Sequence, residues 1–176
     1  MNLDKLNLVF VDVEATGPTP CSGVMTQFGA VHYASRETFH GVLYDSKPSD
    51  ANPAVPVLTG NSYPGQPVME AFSDWLLGTT GSPLLSAAGR GPIFVSDNNG
   101  FDFMWIAFYF DRYAITNPFG HSSRRISDFY AGLVGDFTKS QGWKKWRVTP
   151  HDHHPVHDAL GNVEAFARMI GEIRPP

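Results

Sequence analysis

The chain reads as an α/β protein with a central mixed β-sheet flanked by α-helices, and three features carry that reading. Residues 8–11, Leu-Val-Phe-Val, form an unbroken apolar run, the pattern of a strand covered on both faces. Two more strand-like runs follow, joined by a short polar connection, which predicts an antiparallel hairpin. A helical segment then separates these strands from a fourth, and a strand reached through a helix can return parallel.

The first strand runs into Asp12-Val13-Glu14-Ala15-Thr16-Gly17. Side chains alternate along a strand, so Asp12 and Glu14 point the same way. Two like charges at the end of an apolar strand are costly unless neutralised, and a divalent cation with oxygen ligands neutralises them. The plainer alternative is a strand end in solvent. Residues 18–23, with Pro18, Pro20 and Gly23, read as a turn. Strands are expected over 24–33 and 37–44, followed by a long surface loop over the Pro-, Asn-, Ser- and Gly-rich stretch 46–67. Apolar residues at 68, 72, 75 and 76 predict a helix over 68–77 that Gly78 ends, then a loop over 79–91. A short buried strand, 92–96, leads into Asp97-Asn98-Asn99-Gly100-Phe101-Asp102. The helix expected over 103–113 is apolar almost throughout and so buried on most sides. Another helix is expected over 127–134 with Ser127 as its cap, then a polar bridge over 136–150. The last helix, 158–173, places Ala159, Val163, Phe166, Ala167 and Ile170 on one face, although Gly161 costs it about 1 kcal/mol relative to Ala.

At 176 residues the chain suits one domain spanning 1–176, since two halves would each be small. A formal net charge of -4 argues against a protein that coats nucleic acid through global positive charge. It leaves room for a nuclease, because bound dications supply a local positive field. The single cysteine, Cys21, excludes an internal disulfide and a cysteine zinc site, and makes a reducing cytoplasmic setting the expectation. Residues 1–7 carry no leader pattern and no window approaches a membrane-spanning length, so a soluble intracellular protein without a membrane partner is expected.

Carboxylates recur where core elements meet loops: Asp12 and Glu14, then Asp102, then Asp158. Such separated acids can converge at one sheet edge and hold two hard dications, the arrangement that cleaves phosphodiesters by in-line displacement. Asp102 and Asp158 also read as helix N-terminal acids facing the macrodipole. Residues 151–158, His-Asp-His-His-Pro-Val-His-Asp, hold His151, His153, His154 and His157. Imidazoles can ligate zinc, but neither the helical HExxH spacing nor paired cysteines are present. His151, His154 and His157 read as a solvated loop. A histidine beside a dication-activated water can instead act as general base.

Asp12-x-Glu14 followed by Ala15-Thr16-Gly17, then Asn98-x-x-Phe101-Asp102, then His153-x-x-x-x-Asp158-Ala159 resemble the three exonuclease motifs of the DEDDh branch of the DnaQ-like 3′→5′ exonucleases, in the family's order. The resemblance runs from Leu8 to about Ile170. It implies a ribonuclease H-like fold and two divalent cations, Mg²⁺ or Mn²⁺. It also implies Asp12, Glu14, Asp102 and Asp158 as metal ligands, with His153 deprotonating the attacking water. Thr16 and Gly17 would let the backbone approach the terminal nucleotide, and Phe101 would contact it. Asp97 departs from the family pattern, which has no carboxylate there, and reads first as a capping acid and second as a partner of the site. The residues 154–157 between His153 and Asp158 also depart, which leaves His157 beside His153 as a candidate base.

Trp143-Lys144-Lys145-Trp146-Arg147 alternates aromatic and basic residues, which suits a single strand whose bases stack and whose phosphates need cations. Equally, Trp143 and Trp146 could close the core while Lys144 and Lys145 snorkel to water. Lacking further domains, the chain resembles stand-alone members that trim RNA or short oligonucleotides, so single-stranded RNA is the expected substrate ahead of DNA, with nucleoside monophosphates as products. Stand-alone members are often homodimers, and a dimer is expected here too. Two competing readings are a catalytically silent nucleic-acid-binding domain on the same fold and a zinc hydrolase built on the histidine cluster.

Overall fold

The sheet is organised around its first strand. The computed structural model describes residues 3, 6–43, 65–81 and 91–173, and in it β1 (Leu8–Ala15) lies at the centre of a five-stranded sheet. On one side β1 pairs antiparallel with β2 (Met25–His32), which continues as a hairpin into β3 (Thr38–Val42). On the other side it pairs parallel with β4 (Ile93–Ser96), which carries β5 (Ser123–Arg125) at the edge, giving the order β3-β2-β1-β4-β5. The mixed sheet and the hairpin are those expected. Tyr44 and the loops assigned to 46–64 and 82–90 lie outside the described residues.

Alternation along β1 divides its side chains between two cores. Val9, Val11 and Val13 face α1 (Gln66–Thr80) and α2 (Asn99–Arg112), packing with Phe72, Trp105 and Phe110. Leu8 and Phe10 face α3 (Ile126–Val134) and α4 (Pro155–Ile173), where Phe10 meets Phe166 at 5.3 Å between ring centroids. Each such buried side chain contributes about 1.5–3 kcal/mol of apolar transfer free energy. Asp12 and Glu14 continue the row begun by Leu8 and Phe10, so the acidic pair emerges on the face that α4 covers.

Several boundaries differ from expectation. Helix α1 begins at Gln66, because a proline in the first turn costs no hydrogen bond, and it runs through Gly78 to a left-handed cap at Gly81 with φ 59°. Helix α2 begins four residues early, at Asn99, which brings Asp102 inside its first turn. The three-residue strand β5 was not expected; two of its three residues are arginines, and its identity depends on pairing with β4. Ser127 does not cap α3: Arg125 occupies that position, and Ser127 is fully buried. Helix α4 starts at Pro155, three residues earlier than expected, so Asp158 lies within its first turn rather than opening it. The bridge over 136–150 holds two 3₁₀ turns, Phe137–Lys139 and Gly142–Trp146. Among the described residues no helix is long and apolar enough to cross a membrane.

Candidate active site

Three elements deliver four carboxylates to one end of the sheet. Asp12 and Glu14 come from the end of β1, Asp102 from the first turn of α2 and Asp158 from the first turn of α4. Carboxylate oxygens of Asp12, Glu14 and Asp158 lie within 4.8 Å of one another. Asp102 stands outside that triangle but lines the same groove, of about 440 Å³. A register shift between Glu14 and Ala15 interrupts the ladder where the acids emerge, a device that re-aims side chains beside sites.

The cluster is electrostatically frustrated. Burial, then the charges of Asp102, Asp158 and Glu14, push the Asp12 carboxyl up to about 9, against the opposing pull of Arg147. Burial also raises Asp102 to about 7, although the Ser96 hydroxyl and the backbone of Val13 and Asn98 pull it down. Glu14 is raised chiefly by burial, offset first by His153. Asp158 is fully buried, and its Oδ2 has no aligned hydrogen-bond donor. Four oxygen-donor side chains that repel one another, one of them with a buried oxygen that accepts no aligned hydrogen bond, fit a hard divalent cation.

Helix α4 reaches this place because β2 lets it. Gly29 is the cross-strand partner of Asp12, and a Cβ there would lie 2.5 Å from the Pro155 carbonyl oxygen and nearer still to Pro155 C and Val156 N. The glycine is what allows the first turn of α4 to rest on the sheet beside Asp12. Arg147 then fixes the helix's acid: its Nη2 donates to Asp158 Oδ1 at 3.0 Å and to the Asp158 carbonyl at 3.3 Å, and its Nη1 donates to Asn162 Oδ1 at 3.1 Å. Gly161 makes room for this guanidinium, since a Cβ there would sit 2.7 Å from Nη2 and from the Thr149 carbonyl oxygen. The helix-weakening glycine noted in the sequence is thus a packing requirement.

The histidine loop is divided by the structure. His153 adopts a left-handed backbone, φ 61°, and places Nδ1 3.6 Å from Glu14 Oε1 on the groove. His157 instead pairs its Nδ1 with Asp152 Oδ2 at 2.9 Å, and its ring stacks on His154 at 4.2 Å between centroids. His151, expected in a solvated loop, brings Nδ1 to 2.7 Å from Asp158 Oδ2.

Several expected substrate contacts take other positions. Trp143 is fully buried and donates Nε1–H to Ser127 Oγ at 3.0 Å, and Trp146 is buried against Tyr130. Neither ring has a face free for a base, so the core-closing alternative is the correct one for both. Lys145 lies over the Trp146 ring, 4.2 Å from its centroid, and away from the groove lining. Lys144 does line the groove, held by Asp97 Oδ2 at 2.6 Å, while Asp97 Oδ1 accepts from Ser127 Oγ at 3.1 Å. Asp97 is therefore a partner of the groove and not a cap. Phe101 lines the groove, half-buried. Thr16 and Gly17 stand outside the lining: Thr16 Oγ1 accepts from Val24 N–H at 3.0 Å, and a Cβ on Gly17 would meet the Ser22 carbonyl oxygen at 2.7 Å, so both close the 18–23 turn.

Asn162 and Gly29 escaped the sequence reading, which places Arg147 only in a basic run and His151 only in a histidine loop. Gly29 and Gly161 carry a signal, as residues that weaken a strand and a helix without compensation in the local pattern.

A curated 3′–5′ DNA exonuclease from Escherichia coli, Cap18, is 30% identical over 98% of this chain and 96% of its own length. The nuclease domain of 3′hExo, a DEDDh family member solved with rAMP, superposes with a TM-score of 0.62 at 13% identity, over 94% of this chain and 92% of that one. E. coli exonuclease I in complex with a dA16 oligonucleotide superposes with a TM-score of 0.52 at 18% identity, over 96% of this chain and 41% of that one. No family model matches the chain.

Proposed function

This chain belongs to the DEDDh branch of the DnaQ-like 3′→5′ exonucleases, and we propose that it removes nucleoside monophosphates stepwise from the 3′ end of single-stranded DNA. Exonuclease activity follows from the family; strand and sugar are the proposal. The expected preference for RNA rested on the shortness of the chain. Its curated relative is a DNA exonuclease matched over 96% of its own length, so shortness no longer points to RNA and DNA becomes the better reading.

The observation that carries the site assignment is the convergence of Asp12, Glu14 and Asp158 within 4.8 Å, with the charge of Asp102 raising Asp12. In this reading Asp12, Glu14, Asp102 and Asp158 hold divalent cations, Mg²⁺ or Mn²⁺, which neutralise developing charge and activate water when bound. His153 takes the proton of the attacking water at Nε2, since its Nδ1 faces Glu14. Its exposure leaves it free to pass that proton to solvent. Lys144 receives a substrate phosphate by exchanging its ion pair with Asp97, and Phe101 supports the terminal base. Arg147 keeps the Asp158 carboxylate oriented beside Asp12 and Glu14.

Purified protein with 5′-labelled single-stranded DNA and RNA in parallel should give a ladder of shortened products with Mg²⁺ or Mn²⁺, faster on DNA, and none with chelator or for Asp12→Ala. A ladder that survives Asp12→Ala refutes the site; faster trimming of RNA refutes the sugar assignment. Light scattering on the same preparation tests the homodimer.

A further inference from the structure

His151 has no place in the motifs or in the proposed reaction, yet its imidazole sits against the most buried carboxylate of the site. The ligating atoms of His151, His153 and Asp158 lie within 4.8 Å of one another, forming a second possible ligand triad that shares Asp158 with the Asp12, Glu14 and Asp158 cluster. We infer that His151, His153 and Asp158 form an inhibitory zinc site, distinct in ligand chemistry from the magnesium site and exclusive with it.

Three observations converge on this. First, the donor set differs in kind. Two imidazoles and one carboxylate suit Zn²⁺, which binds three protein ligands and leaves a fourth position to water, whereas Mg²⁺ prefers oxygen. Second, the imidazoles are already brought together. The rings of His151 and His153 are 4.5 Å apart between centroids, His151 Nδ1 is 2.7 Å from Asp158 Oδ2, and His153 stands on a left-handed backbone with φ 61°. Third, Asp158 belongs to both triads. Arg147 donates to Oδ1 at 3.0 Å, while the buried Oδ2 accepts no aligned hydrogen bond and lies 2.7 Å from His151 Nδ1, so Oδ2 is the freer oxygen for a cation on the histidine side.

Inhibition follows from sharing. A zinc ion on the histidine triad engages Asp158, which the cluster of Asp12 and Glu14 also uses, and it takes the His153 imidazole that would accept the proton of water. Both side chains of the triad's histidines are exposed, 53% for His151 and 74% for His153, so zinc can enter from solvent without opening the fold. His157 belongs to a different pair, with Asp152, and serves as the control.

The inference rests on the roles proposed above for Asp158 and His153, and direct binding separates the two. With the full chain in excess Mg²⁺, Co²⁺ as a spectroscopic substitute for zinc should give the visible absorption of a nitrogen-ligated site at one equivalent, and added Zn²⁺ should displace it. His151→Ala should weaken Co²⁺ binding beyond the roughly 10- to 100-fold typical of losing a mere outer partner. His157→Ala should bind as the parent does. In the ladder assay, with each rate normalised to that variant's own zinc-free rate, the zinc concentration for half-inhibition should rise by a similar factor in His151→Ala and stay unchanged in His157→Ala. Unchanged Co²⁺ spectrum and affinity in His151→Ala, or equal zinc sensitivity of His151→Ala and parent, overturns the site. A chain that binds Co²⁺ through His151 but trims no strand would overturn the exonuclease reading and leave the zinc site standing.

Discussion

Substituting Gly29 by alanine tests the packing that brings the two halves of the site together. The added methyl would lie 2.5 Å from the Pro155 carbonyl oxygen, against an ordinary contact of 3.4 Å or more, and nearer still to two other backbone atoms of the α4 start. No flexible side-chain end is available to yield, so α4 must move off the sheet by about 1 Å. The strand register puts that movement directly across from Asp12, and the helix carries Asp158 in its first turn. Overpacking of this kind costs about 1–3 kcal/mol of stability, which a sheet with two full cores can bear. A misplacement of about 1 Å can cost roughly 100-fold in rate. Gly29→Ala should therefore remain folded by circular dichroism and unfold at lower urea, while kcat on a 5′-labelled single strand falls about 100-fold and Mn²⁺ affinity falls with it. A folded Gly29→Ala protein that trims at the parent rate would show that the site does not depend on this close approach.

Three further outcomes follow from the same geometry. Asp12 holds its proton up to about pH 9 in the cation-free fold, whereas the unfolded carboxyl releases it near its ordinary value, so stability falls as pH rises toward 9. Above about pH 7.5 the lowered histidines His32 and His40 are neutral folded and unfolded alike, so urea midpoints from there to pH 9 should decline, by up to about 1.4 kcal/mol per pH unit, and flatten in Asp12→Asn or saturating Mg²⁺; a flat profile for the parent refutes this. Arg147→Lys loses the forked grip on Asp158 and Asn162, and Gly161→Ala displaces the same guanidinium, so each should weaken Mn²⁺ binding about 10- to 100-fold, with the double variant no worse than the singles; additive losses in calorimetry would separate the two residues. Trp143→Ala should cost about 3–5 kcal/mol in a urea titration, whereas Lys144→Ala should raise KM with stability changed by less than about 0.5 kcal/mol; the reverse pattern would return Trp143 to the substrate surface.

Whatever depends on neighbours along the chain is legible in local pattern. Alternation in β1 separates Asp12 and Glu14 from Val11 and Val13, and the spacing of Asn98, Phe101, Asp102, His153 and Asp158 carries the family's order, so the acids of the site and the class of fold were legible from local pattern. Which partner each long side chain takes depends instead on packing between elements distant in sequence. Ser127 suits a helix cap by residue type, yet Trp143 Nε1 and Asp97 Oδ1, distant in sequence, claim its hydroxyl. The Trp-Lys-Lys-Trp run is compatible with stacking on bases or closing a core, and it is the packing of α3 and α4 that buries both rings. Arg147 reads as one cation of a basic run and His151 as one histidine of a loop until α4 sets Asp158 between them. Gly29 and Gly161 show the physical reason: a glycine announces that something must come close, but only the assembled fold says what.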